Sequence, residues 1–221
     1  MEDPGFRIVE GVVPPGDCET FLSALASSGI PRSRAGARHL MTHPAVRSLV
    51  YRTELREIAR GIVGPGACPY RATLFDKSSA HNWSVVWHQD TSLPVFGRTA
   101  SPDWGPWSTK GLRTYVHAPT SALEGIVALR IHLDASTASN GPLRVIPGSH
   151  RFGVLSDEEV FRKARELPAV NCIAGRGAVM VMRPLLIHAS SKATGSAPRR
   201  VLHVEYAGSI GLLPGLQLAI D

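Results

Sequence analysis

Apolar residues recur along this chain in two patterns. Over the first sixty residues they fall three and four apart; from about residue 70 they gather into short runs broken by Gly, Pro and Asn. Phe6 to Val13 reads as a short strand that ends at Pro14-Pro15-Gly16. Asp17 is then the expected N-cap of a helix over Cys18–Ala26, with Phe21, Leu22 and Leu25 on one face and Ser27-Ser28-Gly29-Ile30-Pro31 as its stop. A basic connector, Arg32 to Arg38, leads to His39-Leu40-Met41. Thr42 as cap and Pro44 in the first turn open a second helix, predicted to run unbroken to about Ile62. Its apolar stripe is Val46, Leu49, Val50, Leu55, Ile58 and Ile62, and Gly64-Pro65-Gly66 ends it. Both helices read as a brace on the outside of a sheet.

The later pattern predicts strands near Tyr70–Phe75, Trp83–Thr91, Ile126–Leu133, Leu143–Ile146, Ala178–Met182, Leu185–Ala189 and Val201–Ala207. Many short strands at this spacing make a sandwich or a barrel-like pair of sheets. Residues 92–125, rich in Pro and Gly and carrying Trp104 and Trp107, interrupt the series. They are expected to form a lid-like insertion, or a surface loop that the tryptophans anchor. Ser156-Asp157-Glu158-Glu159 opens a capped helix over 156–167. The segment Asn140-Gly141-Pro142-Leu143-Arg144-Val145-Ile146-Pro147-Gly148-Ser149-His150 reads as a tight turn, a strand and a second turn, with Asn-Gly as a hairpin signal. No helix follows it directly, so it is not a phosphate-cradling loop. The pattern fits one domain, 1–221: a helical brace over 1–66, a β core over 67–208 and a C-terminal tail over 209–221.

Composition narrows the partners. Hydrophobic residues make up 43% and charged residues 19% of the 221, ordinary values for a globular protein. The net charge of +6 comes mainly from arginines, but these are scattered and form no run or stripe, which argues against nucleic acid. Small anionic ligands, at least one of them a dicarboxylate, fit better. Cys18, Cys68 and Cys172 have no paired spacing, so a reducing compartment is expected and structural zinc is not. The N-terminus lacks the apolar core of a signal peptide and no run reaches membrane-span length, so the expected address is the cytoplasm, without membrane attachment.

The candidate chemistry begins at Trp87-His88-Gln89-Asp90. On a strand, residues two apart share a face, so His88 and Asp90 offer an imidazole and a carboxylate to one point. That is two thirds of a 2-His-1-carboxylate facial triad, which holds iron(II) and leaves coordination positions open. About a hundred residues on, Leu185-Leu186-Ile187-His188-Ala189-Ser190 ends a second apolar run with a histidine, and Arg199 opens the next strand. His188 is the candidate third ligand, with Ser190 and Arg199 placed to clamp the distal carboxylate of a bound diacid.

These elements, in this order, resemble the phytanoyl-CoA dioxygenase family of iron(II)- and 2-oxoglutarate-dependent oxygenases. The resemblance runs from about residue 70 to 207, and the Pro147-Gly148-Ser149-His150 turn is its most specific part. It implies a double-stranded β-helix, a cupin-like jelly roll that is mainly β with flanking helices. It also implies oxidative decarboxylation of 2-oxoglutarate to succinate and CO₂, coupled to attack by O₂-derived oxidant on a substrate C–H bond, with ascorbate as a stimulant. Carried over by position, His88, Asp90 and His188 match the iron ligands, Arg199 the arginine on the 2-oxoglutarate carboxylate and Ser190 its neighbouring hydroxyl. Arg199 is favoured over Arg200 because it stands at the family's distance from His188. Lys77 and Arg130 are further co-substrate candidates. A carboxylate at Asp90 favours hydroxylation over halogenation, since related halogenases keep that position small for chloride. The implied substrate is a small or medium-sized metabolite.

Other residues are weighed against plainer roles. Gln89, Trp87 and Asn82 are candidates for the substrate side, although Gln89 alternates away from His88 and packing accounts for the tryptophan equally well. His150 is expected to close its turn by hydrogen bonding. His39, His43, His81, His117, His132 and His203 are expected to be surface or satisfied histidines. Two rivals stand beside the oxygenase: a catalytically silent β-barrel domain that binds a small anion or a partner protein, and a cupin-type metalloenzyme that does not use Arg199.

Overall fold

The computed structural model describes residues 3–33, 35–78 and 81–220. Its first part runs β1 (Phe6–Val9), α1 (Pro15–Ala26), β2 (Gly36–Ala37), α2 (Pro44–Val50), α3 (Thr53–Val63) and β3 (Cys68–Lys77). The middle holds β4 (Val85–His88), β5 (Ser92–Phe96), β6 (Trp107–Lys110), β7 (Arg113–His117), α4 (Thr120–Glu124), β8 (Ile126–His132) and β9 (Leu143–Val145). A 3-10 turn over Ser149–Phe152 and α5 (Asp157–Glu166) precede β10 (Val170–Asn171), β11 (Val179–Met182), β12 (His188–Ser190), β13 (Arg199–Ala207), β14 (Gly211–Leu213) and β15 (Leu216–Leu218).

Two antiparallel sheets form the pair that the strand pattern predicts, in the jelly roll that the family resemblance implies. One has six strands in the order β1-β11-β8-β13-β3-β2, the other four in the order β10-β9-β12-β4. Strand β13 shows why the sequence folds this way. Leu202, Val204 and Tyr206 alternate onto the outer face and join the core that α1–α3 cover, where Tyr206 donates its hydroxyl to Val50 O at 2.6 Å. Each such apolar side chain gains about 1.5–3 kcal/mol by leaving water. Arg199, His203 and Glu205 occupy the opposite, inner face, which no globular core would tolerate unless it enclosed a polar site. The inner faces of the two sheets meet through Ala128, Met180, Met182, Leu143, Val145 and Leu186, which fill one part of the barrel and leave the rest to a cavity.

Several elements depart from the sequence pattern. The single helix expected from Pro44 to about Ile62 is two helices, because Arg52 takes an extended backbone (φ −59°, ψ 144°) and caps α3 while its guanidinium pairs with Asp17 and Glu54. His43, not Thr42, caps α2, its Nδ1 accepting from Ala45 N at 3.2 Å. Pro14, not Asp17, is the N-cap of α1, and Asp17 lies in its first turn. The Asn140-Gly141 turn makes no hairpin: β8 and β9 belong to different sheets, so the chain crosses the barrel there. Residues 92–125 carry regular structure that the sequence pattern did not place. They supply β5, β6, β7 and α4, and the expected tail supplies β14 and β15, giving a third sheet in the order β14-β15-β5-β7-β6. Trp104 is buried in the core that joins this sheet to Tyr70, Leu123 and Ile126.

Candidate active site

His88 and His188 are directly opposed on the antiparallel pair β4–β12. Their ring centroids are 4.1 Å apart. Each ring is fixed in the same way: His88 Nδ1 meets Val86 O at 2.8 Å, and His188 Nδ1 meets Leu186 O at 2.8 Å. A carbonyl only accepts, so both Nδ1 atoms carry the proton and both Nε2 lone pairs are free to ligate. Burial pushes the His188 imidazole down to about 3, which keeps it neutral.

The strand expected over Trp83–Thr91 stops at His88, so alternation along a strand does not place Asp90. The turn into β5 does, anchored by Asp90 N–H on Pro184 O at 2.9 Å. Asp90 Oδ1 lies 3.7 Å from His88 Nε2, and Oδ2 lies 3.5 Å from His188 Nε2. Donor atoms on adjacent corners around one ion, each about 2.1 Å from it, stand about 3.0 Å apart, so only a small contraction separates this arrangement from a coordination shell. Burial works to raise the Asp90 pKa, but its neighbours His188, His203 and His88 and the Arg71 guanidinium outweigh it and keep the carboxyl below the usual carboxylate range, ionised. Two imidazoles and one carboxylate on one face are the donor set of a facial triad.

A cavity of about 510 Å³ opens beside these three residues. In its wall, Arg199 is buried with Nε and Nη1 lacking any hydrogen-bond partner. Lys77, its cross-strand partner on β3, is buried too and donates to Ser190 Oγ at 3.3 Å and Ser191 O at 2.6 Å. Burial and the Arg199 charge hold the Lys77 ammonium down at about 8. Arg200 points elsewhere, chelated by Asp134 at 2.7 and 2.8 Å. Two cations and a hydroxyl with no carboxylate beside them make a pocket shaped by charge for an anion.

Three residues of the Asn140–His150 segment touch the neighbours of the ligand side chains. The Asn140 amide donates to Ala135 O and Pro198 O and accepts Thr137 N–H, which pins the chain just before Arg199. Gly141 (φ +69°) leaves room that a Cβ would take, 2.9 Å from Lys77 Nζ. Ser149 Oγ accepts Ile187 N–H at 2.8 Å, immediately before His188. The segment therefore positions the site, and Leu143 alone of its residues lines the cavity. His150 does not close the turn by hydrogen bonding: its Nδ1 has no hydrogen-bond partner, and its ring packs over Gly5.

A polar chain that the sequence reading passed over runs behind Asp90. Arg130, one of the two further co-substrate candidates, donates from Nη1 to His203 Nδ1 at 3.0 Å. His203 Nε2 stands 3.5 Å from Glu205 Oε1, and Arg71 grips both oxygens of Glu205 and also reaches Ser92 O. Asp90, His203 and Glu205 also lie close enough to hold a metal, but Glu205 already has the Arg71 guanidinium. Alternation from Arg199 through residues 201, 203 and 205 was the available signal. His39 and His117 are exposed, as expected, and reach the cavity as well; His203 lines it and is satisfied by Arg130, whereas His132 is buried with neither ring nitrogen bonded.

The three substrate-side candidates face other tasks. Gln89 lines the cavity, but it donates to Gly153 O and Leu185 O and accepts Leu155 N–H, which takes up both of its amide hydrogens. Trp87 packs against Ile146, Val160 and Ile187 under the Arg144 guanidinium, outside the cavity. Asn82 clasps both backbone groups of Ala193. Trp83 lines the cavity, stacked near Phe75 and Lys77.

A family model described as phytanoyl-CoA dioxygenase matches residues 31–201. No curated protein matches the chain. AviO1 from Streptomyces viridochromogenes Tue57 shares 22% identity over 93% of this chain and 90% of its own, with a TM-score of 0.67. SnoK, an alpha-ketoglutarate-dependent carbocyclase from nogalamycin biosynthesis, shares 17% over 93% and 80%, with a TM-score of 0.67. EctD from S. alaskensis, solved with 2-oxoglutarate and 5-hydroxyectoine, shares 18% over 92% and 72%, with a TM-score of 0.67. These likenesses show a common fold. No helix among the described residues is long and apolar enough to cross a membrane.

Proposed function

The chain belongs to the phytanoyl-CoA dioxygenase family, and from that premise we propose that it is an iron(II)- and 2-oxoglutarate-dependent oxygenase acting on a small metabolite. The observation that carries the reading is the convergence of the two Nε2 atoms and the Asp90 carboxylate on one point beside a buried Arg199 whose Nε and Nη1 have no hydrogen-bond partner among the described residues. His88, Asp90 and His188 would hold the metal. Iron held there would let O₂ act as the oxidant, two of its four oxidising equivalents going to 2-oxoglutarate, released as succinate and CO₂, and two to a substrate C–H bond.

The chain's own residues orient and select. Val86 O and Leu186 O keep the two imidazoles in the ligating tautomer. Arg199, Lys77 and Ser190 take the distal carboxylate of 2-oxoglutarate, and the loss of water around them strengthens that contact. Arg130 lines the same cavity and interacts electrostatically with Asp90. Hydroxylation is the proposed outcome, because Asp90 fills the position that halogenation would need open. The fold does not decide this, since SnoK carries it and is a carbocyclase. A silent binding domain would have no use for three converging ligands.

The test is succinate release by purified protein supplied with iron(II), 2-oxoglutarate and O₂. Release that requires all three supports the reading. Metal-loaded protein that binds no 2-oxoglutarate would sink it.

A further inference from the structure

The cavity is more positive than its proposed contents. Arg71, Lys77, Arg130 and Arg199 stand around it, Asp90 is the one acid among the described lining residues, and Glu205 lies behind, held by Arg71. A divalent metal and a dicarboxylate cancel each other, so the site loaded as proposed still holds two positive charges without counter-charge. Unanswered charge away from water is unfavourable, and a third ligand of negative sign relieves it. The same sign continues at the mouth. Arg38 follows β2, Lys110 ends β6, and these exposed side chains line the cavity from different elements. Neither has an ion-pair partner among the described residues; the Lys110 ammonium rests over the Tyr115 ring, 5.3 Å from its centroid. Next to Arg38, His39 holds φ +61°, the one positive φ outside glycine among the described residues. Strain of this kind gathers where a chain must present a group to a ligand.

We infer that the substrate is an organic acid, its carboxylate or phosphate group held at the mouth by Arg38 and Lys110 while its reacting carbon faces the His88-Asp90-His188 group. The inference rests on the co-substrate reading above, since it counts the charge left once that diacid is bound. Long, exposed cations suit the role: they attract an anion from solution and close on it without prior order. It also gives the third sheet a purpose, because β6 carries Lys110 to the rim.

The experiment is calorimetric titration of the nickel(II)- and 2-oxoglutarate-loaded full chain with methyl phosphate and with butyrate, at low and at high salt. At least one anion is expected to bind, more weakly as salt rises. The Arg38→Gln/Lys110→Gln variant is expected to lose about tenfold in that affinity, while Arg162→Gln/Arg165→Gln, equal in charge and placed on α5, leaves it unchanged. In parallel, acids paired with their own amides are screened for succinate release above the substrate-free rate, and the acids are expected to be the ones that stimulate. No anion binding, equal weakening by both double variants, or stimulation by amides alone overturns the inference. Uptake of 2-oxoglutarate is followed separately, so its absence marks failure of the co-substrate reading instead.

Discussion

His88 and His188 face each other across one antiparallel rung, and each ring is tied by Nδ1 to the carbonyl two residues before it. The shared i−2 contact means that strand geometry, not the metal, presets both lone pairs. Asp90 then supplies the only charge of the donor set. Asp90→Asn keeps the shape and removes that charge. Its expected effect is a loss of nickel(II) affinity on the order of a hundredfold or more, larger than the usual effect of an outer-shell change, with succinate release abolished. Calorimetry with nickel(II) measures it, and wild-type affinity in the variant would remove Asp90 from the ligand set.

Arg199 has its guanidinium buried with two nitrogens unpartnered, so it weakens the ligand-free protein while serving the ligand. Arg199→Met is therefore expected to act in two directions. Affinity for 2-oxoglutarate falls by about a hundredfold or more, as for loss of one partner of a buried charge pair. The ligand-free melting temperature rises by about 3–6 °C, corresponding to roughly 1–2 kcal/mol for a chain of this size. A fall in both quantities would show that the guanidinium is already compensated in the free protein.

Much of this site was readable in the sequence because its parts depend on spacing. His88, Asp90, His188 and Arg199 are identified by order and separation, and the structure places all four around one cavity. What misled was local: Asp90 reaches the site through a turn, and a one-strand account happened to give the same neighbour. Gln89 sits inside the motif, yet its partners Gly153, Leu155 and Leu185 are distant in sequence, so nothing nearby announces its structural task. Residues 92–125 were obscured by Pro and Gly, which mark turns but also sit between the short strands β5, β6 and β7. Arg71 and Glu205 needed pairing between β3 and β13, which one strand's alternation cannot supply.

Lys77 predicts the pH dependence of co-substrate binding. In the free protein burial and Arg199 hold its ammonium at about 8. A carboxylate arriving beside it favours the charged form, so its pKa is higher in the complex. Affinity is then full below pH 8 and declines as pH rises above it, levelling once the higher pKa of the complex is passed. The 2-oxoglutarate carboxylates stay ionised throughout. Equilibrium binding measured across this range checks the sign, and Lys77→Arg, which keeps its charge, is expected to flatten the curve. Affinity that rises with pH would contradict the placement of Lys77 at the anion.

Gln89 offers a test that separates scaffolding from recognition. Its amide holds the 153–155 chain against Leu185, three residues before His188, through three hydrogen bonds of 2.8 to 2.9 Å. Gln89→Ala leaves Gly153 O, Leu185 O and Leu155 N–H without that partner, at a cost of about 2 kcal/mol if water replaces it only in part. The melting temperature is expected to fall by about 4–8 °C. Gln89→Glu keeps the shape and the acceptor toward Leu155 but turns both donors into acceptors facing carbonyls, so it is expected to be no better than alanine. A residue that recognises substrate would behave otherwise: alanine would raise KM and leave the melting temperature in place. Both amide hydrogens and one oxygen lone pair are spent while all three bonds stand, which leaves no donor for a substrate, so the thermal shift is the result expected, and its absence would return Gln89 to the substrate side.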